Sequence, residues 1–217
     1  SRVAAKGQRA QRTLSEQGVL QRFGRQRGER QVFVAGPSTR LGPPAKRRRP
    51  SATGLEEADD GCIEGRRPAG LVATGSDWLA DVGACLAEIA HMEAAAVHAF
   101  ADLVARLREL GAPSSLVARA EEARRDEIRH ARLTASLAAR YGATPAPVVV
   151  APVAATRDFA VENAIEGCVR EAFGALVAAF QAAHAEDPAI RGAFATIAED
   201  EARHAELSFA IDAWLGV

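Results

Sequence analysis

RDEIRHARL at Arg125–Leu133 and EDEARHAEL at Glu199–Leu207 carry one phrase twice. Both read Asp-Glu-x-Arg-His-Ala-x-Leu, with Asp126, Glu127 and His130 in the first and Asp200, Glu201 and His204 in the second. The chain has only 5 His, so two placed alike among acids ask for a reason. Glu and His at i, i+3 share one face of a helix, and on a solvent-facing surface such a pair is worth only about 0.2–0.5 kcal/mol. What the phrase means therefore depends on the face it occupies.

Steps of three and four residues through the first phrase give Leu116, Ala120, Ala123, Glu127, His130, Thr134, Leu137 and Tyr141. Through the second they give Ile190, Phe194, Ile197, Glu201, His204, Ser208, Ile211 and Leu215. Apart from the acid, the imidazole and a hydroxyl, both stripes are apolar until Tyr141, so both phrases are expected to point inward.

Four helices are predicted. The first runs from about Asp77 to Leu110, capped by Ser76 and stopped by Gly111-Ala-Pro. The second spans Ser114–Tyr141 and closes at Gly142. A Pro-punctuated stretch comes next, then a third helix over Asp158–Ala185, and a fourth opened by Asp187-Pro188 that ends near Gly216. Two short turns and one long middle connection predict an antiparallel four-helix bundle of the ferritin-like kind.

Equivalent walks add Val82, Leu86, Ile89, Glu93, Val97 and Phe100 on the first helix, and Phe159, Glu162, Glu166, Arg170, Phe173 and Phe180 on the third. EAAAVHAFADLVA from Glu93 and EGCVREAFGALVA from Glu166 align without a gap. Glu93 precedes Glu127 by 34 residues and Glu166 precedes Glu201 by 35, so each half reads as a hairpin with one Glu and one Glu-x-x-His. Four carboxylates buried together cost several kcal/mol each. Shared protons would offset part of that, and a pair of divalent metal ions is the simpler remedy. One Glu from each of two helices plus Glu-x-x-His from the other two is a di-iron carboxylate pattern.

Composition agrees with helices. Apolar residues make up 48% of the chain and aromatics only 5%, with much of the apolar share in Ala. Close helix packing suits such a chain better than a sheet. The net charge of −1 hides a split: Ser1–Pro50 carries 13 Lys/Arg against Glu16 and Glu29, while Asp77–Val217 has 12 basic and 21 acidic residues. Residues 1–75 form a basic, low-complexity segment, expected to be disordered. Its AKRRRP run lacks interleaved aromatics, so nucleic acid is not the expected partner. Cys62, Cys85 and Cys168 form no CxxC pair, which argues against a disulfide framework and a thiolate zinc site. No signal peptide is visible in the sequence and no apolar run approaches about 18 residues, so no membrane partner is expected and the cytoplasm is the default expectation.

With these residues in place the sequence resembles the ferritin-like superfamily of di-iron proteins, including ferritins, rubrerythrins and the di-iron oxygenases. The resemblance covers about Trp78–Leu215. It implies two iron ions, with manganese the competitor, held by Glu93, Glu127, His130, Glu166, Glu201 and His204, with Glu127 and Glu201 bridging. The rubrerythrin pattern adds a further carboxylate, for which Glu162 is the candidate. Asp126 and Asp200 either orient the imidazoles or are surface acids. Arg170 is expected in a structural salt bridge, His91 and His98 on the surface, and Cys168 in the core. Tyr141, the only Tyr, lies about 16 Å from His130 along the helix axis, too far for a radical role.

The resemblance implies a non-haem di-iron oxidoreductase acting on dioxygen or peroxide. The alternatives are a protein that oxidises and sequesters iron, and a module whose metal is purely structural. A homodimer is an open option.

Overall fold

The computed structural model describes residues 65–154 and 157–216. Ser1–Pro50, with its basic run and expected disorder, lies outside the described residues. Among the described residues the fold is all-helical, with four helices and no strand beyond an isolated antiparallel bridge between Leu71 and Val150.

Helix α1 spans Val82–Glu109. It begins later than the expected Ser76 start because Asp81 is the residue that caps it, its carboxylate accepting from the Ala84 N–H at 2.8 Å. Gly111, at φ 71°, turns the chain after α1. Helix α2 covers Ser114–Arg140. The third helix, α3, is built from three consecutive pieces: an α turn at Phe159–Glu162, a π-helical segment at Asn163–Val169, and an α-helix at Arg170–His184. Helix α4 spans Pro188–Leu215, with Pro at the first turn and the Asp187 carboxylate accepting from the Ala189 N–H at 2.7 Å.

Helices α1 and α2 pack along one another, as do α3 and α4, and α2 faces α4. Each close pair is joined by a short turn, and residues 141–158 make the one long connection. The apolar core falls into two clusters. One holds Leu86, Ile89, Leu137, Ile190, Phe194 and Ile197. The other holds Phe100, Leu103, Leu107, Leu116, Phe159, Leu207 and Ile211. On α1, α2 and α4 alike, the polar residues singled out by the sequence fall between these clusters.

The chain before α1 is part of this packing from residue 65 onward, inside the expected boundary at 75. Gly65, Arg66 and Pro68 are buried. The Val72 N–H donates to Val149 O at 2.9 Å and the Ala151 N–H to Gly70 O at 2.8 Å, tying this strap to the long connection. His91 is also buried rather than exposed, because its Nδ1–H donates to Ala146 O at 3.0 Å and holds the same connection against α1. His98 is exposed. No described helix is long and apolar enough to cross a membrane.

Gly83 marks a close approach of α1 to the end of α2: a Cβ there would lie 2.9 Å from the Tyr141 carbonyl oxygen. In an open helix Gly→Ala gains up to ~1 kcal/mol. Here Gly83→Ala should instead lower stability by roughly 1–2 kcal/mol, since backbone must shift to admit it. Chemical denaturation checks the sign, and a stabilised variant would overturn the packing described.

Candidate metal centre

Between the two apolar clusters, four helices converge on a layer of acids and imidazoles. Glu127 and His130 come from α2, Glu201 and His204 from α4, Glu93 from α1 and Glu171 from α3. All six are buried, with Glu93 the most exposed at 6%.

Their donor atoms form two groups, Glu93–Glu127–His130–Glu201 and Glu127–Glu171–Glu201–His204, and within each the atoms lie within 4.8 Å of one another. His130 Nδ1 stands 3.5 Å from Glu93 Oε2, 3.7 Å from Glu127 Oε2 and 3.5 Å from Glu201 Oε1. His204 Nδ1 stands 3.1 Å from Glu127 Oε1, 3.8 Å from Glu171 Oε2 and 3.7 Å from Glu201 Oε1. Donors bound to an ion at ~2.1 Å are themselves about 3–4 Å apart, so these spacings fit a cation at the centre of each group.

The hydrogen bonding makes the same point. Both carboxylate oxygens of Glu127, Glu171 and Glu201, and Nδ1 of His130 and of His204, are buried without a hydrogen-bond partner. Orphaned polar atoms in a core are costly and need an explanation. Eight of them aimed into two shared spaces are explained together by bound cations. These Glu/His groups can hold metal.

The far nitrogens of the imidazoles are occupied. His130 Nε2–H donates to Asp200 Oδ2 at 2.9 Å, and His204 Nε2–H donates to Asp126 Oδ2 at 3.4 Å. Each Asp therefore holds the His of the other helix, leaving each Nδ1 lone pair free for a metal. Both aspartates are buried, and Arg129 and Arg203 each contact both of them. Asp126 and Asp200 are thus buried against the imidazoles and are not surface acids.

Two sequence-predicted carboxylates lie elsewhere. Glu166 belongs to neither group. Its Oε2 accepts from the Arg67 N–H at 3.2 Å and sits 3.0 Å from Arg170 Nε, so it is committed to guanidinium and amide donors. Glu162 pairs with Arg106. The position expected for Glu166 is taken by Glu171, five residues on. Glu166 itself lies in the π-helical segment, whose i→i+5 bonding adds a residue to the turn and rotates the residues that follow it, Glu171 among them. From Asn163 onward the buried residues of α3 are Asn163, Glu166, Gly167, Cys168, Glu171, Gly174, Ala178 and Gln181, with Glu166 buried against Arg67 and Arg170 and Glu171 against the layer. Phe173 and Phe180, which made the predicted stripe look interior, are 44% and 39% exposed. Arg170 in the middle of that stripe was the signal against it.

Arg66 is a second residue that helical periodicity did not single out. It lies in the strap before α1 and is 2% exposed. Its Nη2 donates to Asn163 Oδ1 at 3.0 Å and Ser208 Oγ at 3.2 Å, and its Nε lies 3.9 Å from Glu171 Oε1. Tyr141 is remote from the layer, its hydroxyl donating to Asp187 Oδ2 at 2.9 Å. Cys168 is buried and its thiol lies 3.3 Å from Asp212 Oδ2.

Without an ion, protons balance the charge. Burial pushes the Glu93 carboxyl up to about 8 against the pull of His130. Burial also raises Glu201 well above the usual range, and the nearby Glu127 and Glu171 charges add to it. Glu127 moves the other way: burial opposes ionisation, but His130 and His204 hold it low. For both imidazoles burial favours the neutral form, yet the surrounding carboxylates raise them above their ordinary value. Burial likewise opposes ionisation of Asp126, but His204 and Arg129 hold it down to about 2.

No protein-family model, no curated protein and no solved structure matches this chain.

Asp200→Asn should weaken metal binding at the His130 group, and Asp126→Asn at the His204 group, each by roughly 10–100-fold. Metal titration of each variant checks this, and unchanged affinity in both would remove the aspartates from the site. The direction of the Glu93 shift fixes a pH dependence as well. Below about pH 8 the metal-free chain holds a proton on Glu93 that an ion must expel. Apparent affinity should therefore rise from about pH 6 through 8, by about tenfold per unit for each proton released, and should not flatten there, because Glu201 and both imidazoles are raised as well and also give up protons to the ion. Calorimetry at pH 7 in buffers of different ionisation heat should detect net proton release. No release, or uptake, would contradict the protonated layer.

Proposed function

We propose that this chain is a dinuclear non-haem iron protein on a ferritin-like, antiparallel four-helix bundle, and that it acts as an oxidoreductase toward dioxygen or peroxide. The observation that carries this reading is the presence of Glu127 and Glu201 in both donor groups. Two carboxylates common to two groups suit a pair of adjacent ions bridged by those carboxylates, the arrangement that lets two metals act on one small molecule.

Donor chemistry supports the metal. Four carboxylates and two imidazoles, with no thiolate, favour iron or manganese over a soft or structural zinc site. The four carboxylates supply four negative charges against the four positive charges of two divalent ions. Two hairpins joined by one long connection support the ferritin-like wiring. A bound ferrous pair would supply electrons to the oxidant. The protein's part is to hold the pair in a dry layer, with Asp126 and Asp200 fixing both rings.

A cleft between α2 and α4 of about 360 Å³ reaches His204 and is lined by Arg119, Glu122, Asp126, Arg203 and Glu206 among others. Its charged walls favour small polar species, which fits peroxide or an entering metal ion better than a bulky apolar substrate. For that reason an iron-oxidising and sequestering role is the second reading.

Anaerobic loading with ferrous iron should give two ions per chain. Exposure to air should turn the loaded protein yellow, with near-ultraviolet absorption of ferric iron appearing much faster than for free ferrous ion at the same pH. Glu127→Ala combined with Glu201→Ala should remove most of the metal, and His130→Ala with His204→Ala should abolish the air oxidation. A loaded protein that stays colourless and ferrous in air would reduce the site to a structural one.

A further inference from the structure

The two donor groups differ in one charged neighbour. Arg66 enters from the strap before α1 and places Nε 3.9 Å from Glu171 Oε1. That distance is at the outer limit of a salt bridge and too long for a hydrogen bond, so the charge acts on Glu171 without a bond to it, and both Glu171 oxygens remain without a hydrogen-bond partner. Among the described residues no Arg or Lys pairs with Glu93, whose ionic contact is His130.

The position of Arg66 is built into the fold. Nη2 is held by Asn163 and Ser208, and the guanidinium carbon lies 5.5 Å from the Phe100 ring centroid. Gly167 makes the room: a Cβ there would stand 2.3 Å from Arg66 Nη2 and 2.4 Å from Ser208 Oγ. The next residue anchors the strap to α3, the Arg67 N–H donating to Glu166 Oε2 at 3.2 Å. A buried guanidinium stays charged, and its field falls off slowly in a low-dielectric layer.

We propose that Arg66 is a positioning residue that makes the two metal positions unequal. Acting through Glu171, its fixed positive charge weakens the Glu171–His204 position relative to the Glu93–His130 position, so that two ions enter in that order. The proposal rests on the dinuclear reading above and adds to it an order of filling set by a segment outside the four helices. A merely structural Arg66 would tie the strap to α3 and α4 and leave the spacing between the two affinities alone.

Cobalt(II) titration of the metal-free full chain, followed by the visible absorption of the bound ion, tests this. The wild-type chain should take up two ions in resolved steps, the second at least about tenfold weaker. Arg66→Gln keeps a polar contact with Asn163 and Ser208 but loses the charge, and should tighten the second step by at least about tenfold. Arg66→Lys keeps the charge and should retain the wild-type gap. His204→Gln should delete the weaker step and spare the tighter one.

Uptake of fewer than two ions by the wild-type chain would end the dinuclear reading. Uptake of two ions in one unresolved step would leave that reading intact and overturn the proposal. So would a second step in Arg66→Gln within twofold of wild type, merged steps in Arg66→Lys, or loss of the tighter step in His204→Gln. Far-ultraviolet circular dichroism accompanies each variant. Should Arg66→Gln fail to fold, the wild-type, Arg66→Lys and His204→Gln arms decide by themselves.

Discussion

Carboxylates in a dry interior repel one another and miss their water, and here Glu93, Glu127, Glu171 and Glu201 share one buried layer. The unpaired cost is several kcal/mol per charge, comparable to the whole net stability of a domain of this size. The chain meets it with cations of three kinds. Burial raises the Glu93 and Glu201 carboxyls so that they hold protons, two imidazoles stand among the acids, and Arg66 stands beside Glu171. Bound metal ions would replace the protons and satisfy the orphaned oxygens at the same time. The rest of the molecule accommodates this layer. The apolar core is divided into two clusters, one on either side, so hydrophobic burial above and below holds in place a plane that is unfavourable by itself.

The helices do not deliver their carboxylates to the layer in the same way. On α1, α2 and α4 regular α-helical steps carry the chain from one core cluster, through the layer, to the other. On α3 they do not, because the segment Asn163–Val169 is π-helical. An extra residue in a turn rotates the following residues by about 100°. Glu166 then meets Arg67 and Arg170, and Glu171 meets the layer. The same segment presents Asn163 and Gly167 to Arg66. One local irregularity thus exchanges the carboxylate that enters the layer and admits its counter-charge. π segments recur at functional sites for this kind of reason.

Much of this was legible in the chain itself. Helix limits at Leu110, Ser114 and Pro188 follow from Gly, Ser and Pro punctuation, and the inward face of both repeated phrases follows from their apolar stripes. That reading brings Glu93, Glu127, His130, Glu201 and His204 into the one buried layer where they lie. Glu171 escapes it, because periodicity assumes 3.6 residues per turn throughout, and no single residue in NAIEGCV announces a π turn. Large side chains misled as well. Phe173 and Phe180 look like core, yet the buried face of α3 is lined by Gly174 and Ala178, whose small size suits close approach to α4. Arg66 and His91 depend on contacts between segments far apart in sequence, Arg66 with Asn163 and Ser208 and His91 with Ala146, which no local pattern encodes.

The repeated phrase can now be read position by position. Its Glu enters both donor groups, and its His offers Nδ1 to one of them. Its Asp does not serve the His of its own helix: Asp126 holds His204 and Asp200 holds His130, so each ring is fixed by the opposite helix. Its Arg, half exposed at the surface, spans both aspartates from each side. Had each Asp bonded its own His, the two helices could slide without disturbing either ring. Because the bonds cross, the spacing of α2 and α4 and the direction of both imidazoles are a single variable. The Arg residues place positive charge against both aspartates, and against burial His204 together with Arg129 holds the Asp126 carboxyl low. Repetition is therefore required by the geometry, since a crossed pair of this kind needs the same four side chains, in the same order, on each of two facing helices.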